Sequence, residues 1–446
     1  MTRLQDNPYG RRTIWRGQLG PKLNEHYRKW TAERKIPWLA TNFRAESLPF
    51  QDWQKFKEAF APEVIAMAVE ESTNPIETIL DPFGGSGTTP LTSQFLGKKS
   101  ITLEVNPYLA DVIESKLTSY DIDRLSHEID EFLREAKKSL QNQIGVPDTS
   151  RLPKTFVQAD GLTRWLFRRD TMWFIQQLLD LSSHFTPATN RLIRTSIGGD
   201  LVAISNVYVS GKGRRYRSNW ESREKSPAQA FSKIESSLML AYNDIRVHRD
   251  RPERTYDLIR GDSRQAMKSV DKADLVVFSP PYPNSFDYTD IYNVELWVLG
   301  YLLDYEQNGN LRRKTLSSHV QIGRDYPPAP RDSRSLDECL SELRASRDTL
   351  WNKNIPEMIG GYFADMRGLL IESHRVLPDR GQCWLVVGDS RYGGVDISVA
   401  KILAELAESI NFKVLKSSPI RNMRTAPQQG GQSELPESLV VLERMQ

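Results

Sequence analysis

Short apolar runs alternate along the chain with longer stretches in which apolar residues recur every three or four positions. The runs at 78–80, 100–105, 155–158, 255–259, 274–278, 382–387, 412–416 and 438–443 are short and rich in Ile, Val, Leu and Phe, which predicts strands. The spaced stretches at about 51–71 (Trp53, Phe56, Phe60, Val64, Ile65, Met67, Ala68), 90–96, 108–145, 171–185, 191–204, 227–246, 358–376 and 396–410 predict helices. Residues 1–48 are polar with little periodicity, and 304–350 form a polar interruption. The last two strands, joined by a Gly/Gln/Pro loop, read as a hairpin at a sheet edge. Alternating strands and helices imply an α/β fold with a doubly wound parallel sheet, and such sheets bind ligands at the carboxyl ends of their strands. The expected organisation is an arm at 1–50, a first half of the sheet domain at 51–120 and a mainly helical insert at 121–254. A second half at 255–446 carries a further insert at 304–350.

Two motifs fall at predicted strand ends. The first, Asp81-Pro82-Phe83-Gly84-Gly85-Ser86-Gly87-Thr88-Thr89, joins a strand to a helix. Glycines at 85 and 87 permit a sharp turn and close backbone approach to a ligand. No Lys follows, so the turn is not a phosphate-binding P-loop. About twenty residues on, Glu104 ends the next strand, where a carboxylate can accept hydrogen bonds from both hydroxyls of a ribose.

The second motif, Ser279-Pro280-Pro281-Tyr282, follows the apolar run at 274–278. Its two prolines fix φ and remove two backbone donors, so the loop is stiff and presents carbonyl oxygens. With the Ser279 hydroxyl, these oxygens suit an exocyclic NH₂. Tyr282 is placed to stack on a planar ring, and Phe286 and Tyr288 extend the aromatic surface.

Composition adds mainly exclusions. The 446 residues carry 60 Lys plus Arg against 57 Asp plus Glu, a net charge of +3. Any basic surface must therefore come from local clustering. The clearest cluster runs from 211 to 220, where Lys212, Arg214, Arg215, Tyr216 and Arg217 lie between glycines and a tryptophan. Arginines there suit phosphate contact or base reading, and aromatics suit stacking. Two cysteines exclude a disulfide framework and a four-cysteine zinc site. Cys383 lies in a buried-strand pattern and Cys339 in an acidic helical stretch, so both read as structural. The six histidines show no metal-ligand spacing, and no metal is expected. No apolar run approaches a membrane span and no signal peptide is visible, so a cytoplasmic protein is expected.

The two motifs resemble those of S-adenosylmethionine-dependent DNA amino-methyltransferases, the N4-cytosine and N6-adenine group. The resemblance covers roughly 60–120 and 255–445. Phe83 to Gly87 resemble that family's Phe-x-Gly-x-Gly cofactor loop, and Ser279 to Tyr282 its catalytic loop. The resemblance implies a Rossmann-like doubly wound sheet with an antiparallel C-terminal hairpin and mainly helical inserts, with S-adenosylmethionine as cofactor. It assigns Asp81, Phe83, Gly85, Gly87, Thr88, Glu104, Asn106, Asp262 and Ser263 to the cofactor and Ser279, Pro280, Pro281 and Tyr282 to catalysis. Phe286, Tyr288 and the 212–217 cluster are assigned to the nucleic acid. Ser at the head of the catalytic loop is typical of the N4-cytosine members. The expectation is therefore site-specific N4 methylation of a flipped cytosine in duplex DNA. DNA adenine N6, an RNA base amine and a non-enzymatic binding role stay open as alternatives. A cognate restriction endonuclease or another defence-system subunit is the partner implied. The largest insert precedes the Asp262 strand, so no standard target-recognition domain maps onto it.

Overall fold

The structure, a computed structural model, describes residues 20, 23–32, 34, 48–54, 59–141, 145–210, 213–424 and 434–446. Most of the arm expected at 1–50 lies outside these residues. The main sheet has seven strands. In chain order they are β1 (Thr78–Asp81), β2 (Lys99–Glu104), β5 (Tyr256–Arg260), β6 (Leu275–Phe278), β7 (Gln382–Gly388), β10 (Phe412–Arg424) and β11 (Glu434–Arg444). Two small hairpins account for the remaining numbers, β3 (Val207–Ser210) with β4 (Gly213–Tyr216), and β8 (Ser390–Tyr392) with β9 (Val395–Ile397).

The spatial order is β10-β11-β7-β6-β1-β2-β5. Strands β5, β2, β1, β6 and β7 run parallel, while β11 pairs antiparallel with both β7 and β10. This is the doubly wound sheet with an antiparallel edge hairpin expected from the sequence. The chain winds outward from β1 through β2 to β5, then returns to start the other half at β6. The switch point thus lies between β1 and β6, where a crevice forms beyond the strand ends. Asp81 ends one of these strands and Ser279 follows the other.

Side-chain alternation sets the two cores. Ile79, Leu275, Val277, Trp384 and Val386 face one side, against the helices Pro62–Glu71, Thr88–Phe95 and Pro107–Leu117 and the insert helices behind them. Leu80, Val276, Phe278, Cys383 and Leu385 face the other, against Arg334–Ala345, Ile355–Val376 and Val399–Glu408. Both faces are covered, which explains runs that are apolar throughout rather than alternating.

Several sequence expectations need correcting. The stretch at 51–71 is helical only over Pro62–Glu71; Pro62 opens that helix, and 51–54 form a turn. The helix read across 108–145 is two, Pro107–Leu117 and Ile122–Ser139. Asp121 restarts the helix by accepting a hydrogen bond from the Arg124 amide at 3.1 Å, a cap hidden inside an apparently continuous pattern. The strand read at 155–158 is a single bridge between Val157 and Phe167. Within the basic stretch at 211–220, Gly213–Tyr216 form β4 of a hairpin with β3, and Lys212 lies outside the described residues. The insert at 304–350 contains two helices, Tyr305–Arg313 and Arg334–Ala345.

Candidate active site

Strand β1 ends on Asp81, and the glycine turn then folds back over β2. The Phe83 amide bonds Asp81 Oδ1 at 2.8 Å, and the Gly84 amide bonds the Leu103 carbonyl at 2.9 Å. A side chain at Gly84 would strike Thr102 and Ile113 at 2.5 and 2.8 Å. Gly87 caps the helix Thr88–Phe95 with φ +86°, a left-handed conformation that favours glycine. Glu104 braces the turn from β2. Its Oε2 accepts the Gly85 amide at 2.7 Å and its Oε1 the Asn106 amide at 2.7 Å. Asn106 in turn caps the next helix through the Tyr108 and Leu109 amides.

Burial raises the Glu104 carboxyl to about 7, against the pull of these hydrogen bonds, and Asp81 adds to the rise. Asp81 itself is raised to about 6 by burial. Beneath the turn, the fully buried Lys116 donates to the Ser86 carbonyl at 2.7 Å, and burial lowers its ammonium to about 7.

The crevice at the switch point is a cavity of about 290 Å³. Its wall brings together all nine residues assigned to the cofactor except Gly87, which sits behind the turn. It also holds the four residues of the Ser-Pro-Pro-Tyr loop, together with Phe286 and Tyr288. Phe286 and Tyr288 meet edge to face, ring centres 4.7 Å apart. Asp262 lies at the wall but is gripped by Arg264, whose Nε and Nη2 reach its carboxylate at 2.9 and 2.7 Å. Ser263 is buried and bonds the Pro82 carbonyl, tying β5 to the glycine turn.

The Ser-Pro-Pro-Tyr loop is held from the far edge of the sheet. Tyr282 Oη donates to Glu437 Oε1 at 2.7 Å, and Ser279 Oγ lies 3.4 Å from Tyr282 Oη. Glu437 on β11 is itself clamped by Arg421 on β10. A further buried group borders the loop, where Asp287 caps the helix Tyr288–Ile291 and accepts from Arg312 Nε at 2.5 Å. His319 packs beside Asp287, with Arg324 3.0 Å from its Nε2, and burial lowers the imidazole to about 4. Lys116, Arg264, His319, Arg421 and Glu437 carried no motif. Lys116, Arg421 and Glu437 are distant in sequence from what they support, and only pairing across the fold reveals them; Arg264 stands two residues from Asp262 but also reaches Asp365.

The 212–217 cluster does not face outward as a unit. Arg214 stacks on the Phe156 ring at 5.1 Å, and Arg217 donates to the Val202 carbonyl at 3.1 Å, at the end of the helix Pro187–Ile204. Tyr216 is half-buried beneath Arg164. Arg215 is exposed and lies directly across the hairpin from exposed Tyr208. The hairpin packs beside the helix Tyr288–Ile291, with Gly213 close to Asp290. The two cysteines are buried and absent from the cavity wall. No helix among the described residues is long and apolar enough to cross a membrane.

Comparison with known proteins agrees with this geometry. Residues 7–115 match a family model described as DNA methylase. The Type II methyltransferase M.BsoBI of Geobacillus stearothermophilus is 25% identical over 470 aligned positions, covering 93% of this chain and 89% of that protein. The Type II methyltransferase M.AvaI of Nostoc sp. is 27% identical, covering 86% and 82%. A shorter match, 37% identical over 71 residues, links the chain to the Type II methyltransferase M.BamHI of Bacillus amyloliquefaciens. These likenesses support a DNA amino-methyltransferase, which implies S-adenosylmethionine as the methyl donor.

The cavity fits that donor. Two buried carboxyls give it negative potential for a sulfonium and an ammonium. Each Glu104 oxygen accepts one amide and keeps a second lone pair for a ribose hydroxyl. Ser86 Oγ and Thr88 Oγ1 are buried at the wall with no hydrogen-bond partner among the described residues, as expected of groups that bind a ligand.

Proposed function

We propose that this protein methylates the exocyclic N4 of cytosine at specific sites in duplex DNA. The comparisons support a Type II DNA methyltransferase of the N4/N6 type; the choice of base is the further step. The observation that carries the proposal is the placement of Ser279 and the Pro280 carbonyl at the end of β6, on the same cavity wall as the glycine turn. A cytosine amine is a poor nucleophile because its lone pair is delocalised into the ring. Accepting hydrogen bonds at Ser279 Oγ and Pro280 O favours a tetrahedral nitrogen with a localised lone pair. S-adenosylmethionine supplies an electrophilic methyl group. The protein contributes orientation and fixed dipoles at the reacting nitrogen, and neither cysteine stands at the cavity wall to attack a ring carbon. Tyr282, Phe286 and Tyr288 supply aromatic surface for a base turned out of the helix. Glu104, Asp81 and the glycine turn hold the donor.

Duplex DNA would lie across the rim, with the β3–β4 hairpin presenting Arg215 and Tyr208 to it. A cognate restriction endonuclease is the partner this activity protects against. The decisive experiment offers unmethylated duplex DNA with labelled S-adenosylmethionine and separates the product nucleosides by mass spectrometry. N4-methylcytosine is the expected product. N6-methyladenine would overturn the base assignment and keep the chemistry. Transfer to RNA but not DNA would overturn the substrate.

A further inference from the structure

We infer that Tyr282 and Glu437 form a proton relay behind Ser279, with Glu437 as the terminal acceptor and Arg421 as the residue that positions it. The inference rests on the amino-methylation reading above and goes beyond it.

The direction of the hydrogen bonds carries the argument. Glu437 is almost fully buried and its carboxylate is bound by Arg421, so it acts as an acceptor toward Tyr282. Tyr282 must then donate to it, as the 2.7 Å contact shows. The phenol oxygen can accept only from the other side, where Ser279 Oγ stands at 3.4 Å. Ser279 therefore turns its proton away from the cavity and its lone pairs toward an incoming amine. The separation is longer than an ideal O–H···O bond, and catalytic contacts commonly tighten when substrate binds.

The framework around this chain is built to hold it. Glu437 lies between Gly388 on β7 and Arg421 on β10. The register of the edge hairpin shifts between Pro419 and Arg421, next to this pairing. Gly388 carries no side chain, and a Cβ there would reach the Tyr282 ring at 2.6 Å. The ring thus packs close against the Gly388 backbone, and its hydroxyl reaches the buried carboxylate. A tyrosine needed only for stacking would require neither the carboxylate nor the arginine behind it.

The step balances. The amine nitrogen bonds the methyl carbon of a sulfonium donor as the carbon–sulfur bond breaks, leaving a neutral thioether. The nitrogen, now with a surplus proton, passes it to Ser279 Oγ. The Ser279 proton moves to Tyr282 Oη, and the Tyr282 proton moves to Glu437 Oε1. The positive charge lost at sulfur is matched by the negative charge lost at Glu437.

Tyr282→Phe keeps the aromatic ring and removes the relay, while Glu437→Gln keeps the volume and removes the acceptor. Each should lower kcat by about a hundredfold, in the range of general acid–base catalysis. KM for DNA and donor affinity by calorimetry should stay close to wild type, and Glu437→Asp should recover part of the rate. A second readout needs neither donor nor DNA. The ultraviolet titration of wild type minus that of Tyr282→Phe isolates one phenol, which faces Glu437 from β11, Arg421 from β10 and Tyr288 from the adjoining helix. Burial and Glu437 hold that phenol well above its ordinary range. In Glu437→Gln it should ionise at distinctly lower pH. Unimpaired transfer by both variants, or a phenol titration indifferent to Glu437, overturns the relay even if wild type makes N4-methylcytosine. A wild type inactive on all nucleic acids overturns the functional reading, while the titration still decides whether Glu437 holds the phenol.

Discussion

At the scale of single residues, the site depends on carboxyls that burial keeps from ionising freely. Glu104 titrates near 7 and Asp81 near 6, both raised chiefly by burial. A cationic donor favours their ionised forms, and a protonated Glu104 has one fewer lone pair for a ribose hydroxyl. Binding should therefore release protons, and S-adenosylmethionine affinity should rise as pH is raised from about 5.5 to 8. Calorimetry in buffers of different ionisation enthalpy measures the proton count directly; an affinity flat across this range would remove Glu104 from the donor site. The linkage to stability has the opposite sign. The native state retains protons that the unfolded chain has already lost, so these groups weaken the donor-free fold as pH climbs through the interval up to about 7. A saturating donor should cancel that loss. Ser279 makes a separate prediction. Ser279→Ala removes an acceptor at the reacting nitrogen and should lower kcat by about 10²-fold. Because Ser279 lies on the loop after β6 rather than on the glycine turn, donor affinity should be largely unchanged. Equal losses in both would show that the hydroxyl serves the donor instead.

At the scale of elements, the β3–β4 hairpin shows how a motif can be legible while its orientation is not. The cation-rich string at 211–220 was visible in the sequence, but a loop reading gave every arginine the same exposure. Pairing Val207 with Tyr216 and Tyr208 with Arg215 sends alternate residues to opposite faces. Val207, Val209, Arg214 and Tyr216 turn inward, leaving Tyr208 and Arg215 outside. Arg215→Gln should lower DNA affinity and reduce the slope of log affinity against log salt by about 1. Arg217→Gln should leave that slope alone and cost about 1–2 kcal/mol of stability, because its guanidinium holds carbonyls at a helix end. If Arg217→Gln changes the slope and Arg215→Gln does not, the hairpin presents the other face. The same contrast separates what could be read in advance elsewhere. The parallel strands and both ligand loops were legible, since apolar runs and Gly or Pro punctuation are local signals. The break at Thr118–Asp121 and the helix start at Pro62 were missed because apolar periodicity runs on across both. Arg421 and Glu437 were missed because their roles arise only where β10 and β11 meet the loop after β6.

At the scale of the whole molecule, the insert at 121–254 is joined to the donor-binding half through one apolar core. Tyr108, two residues past Asn106, is fully buried, and its hydroxyl reaches Gln54 at 2.5 Å. The helix Pro187–Ile204 crosses it at Gly198, where a Cβ would meet the Tyr108 ring at 2.5 Å and Leu299 at 2.9 Å. That contact joins the insert, the helix following β2 and the segment following the catalytic loop. The Tyr108 amide also bonds Asn106 Oδ1, and the amide of that same Asn106 binds Glu104. A wedge placed at Gly198 should therefore be felt at the donor site as well as in the fold. Gly198→Val should cost about 1–3 kcal/mol as an overpacked core position. It should also weaken S-adenosylmethionine binding, although residue 198 is no part of the cavity wall. Calorimetric unfolding of the wild type should show the insert melting together with the sheet half it packs on, and saturating donor should shift that transition upward as one. A separate early transition for the insert, with donor affinity unchanged in Gly198→Val, would show instead that the insert and the donor site are energetically independent.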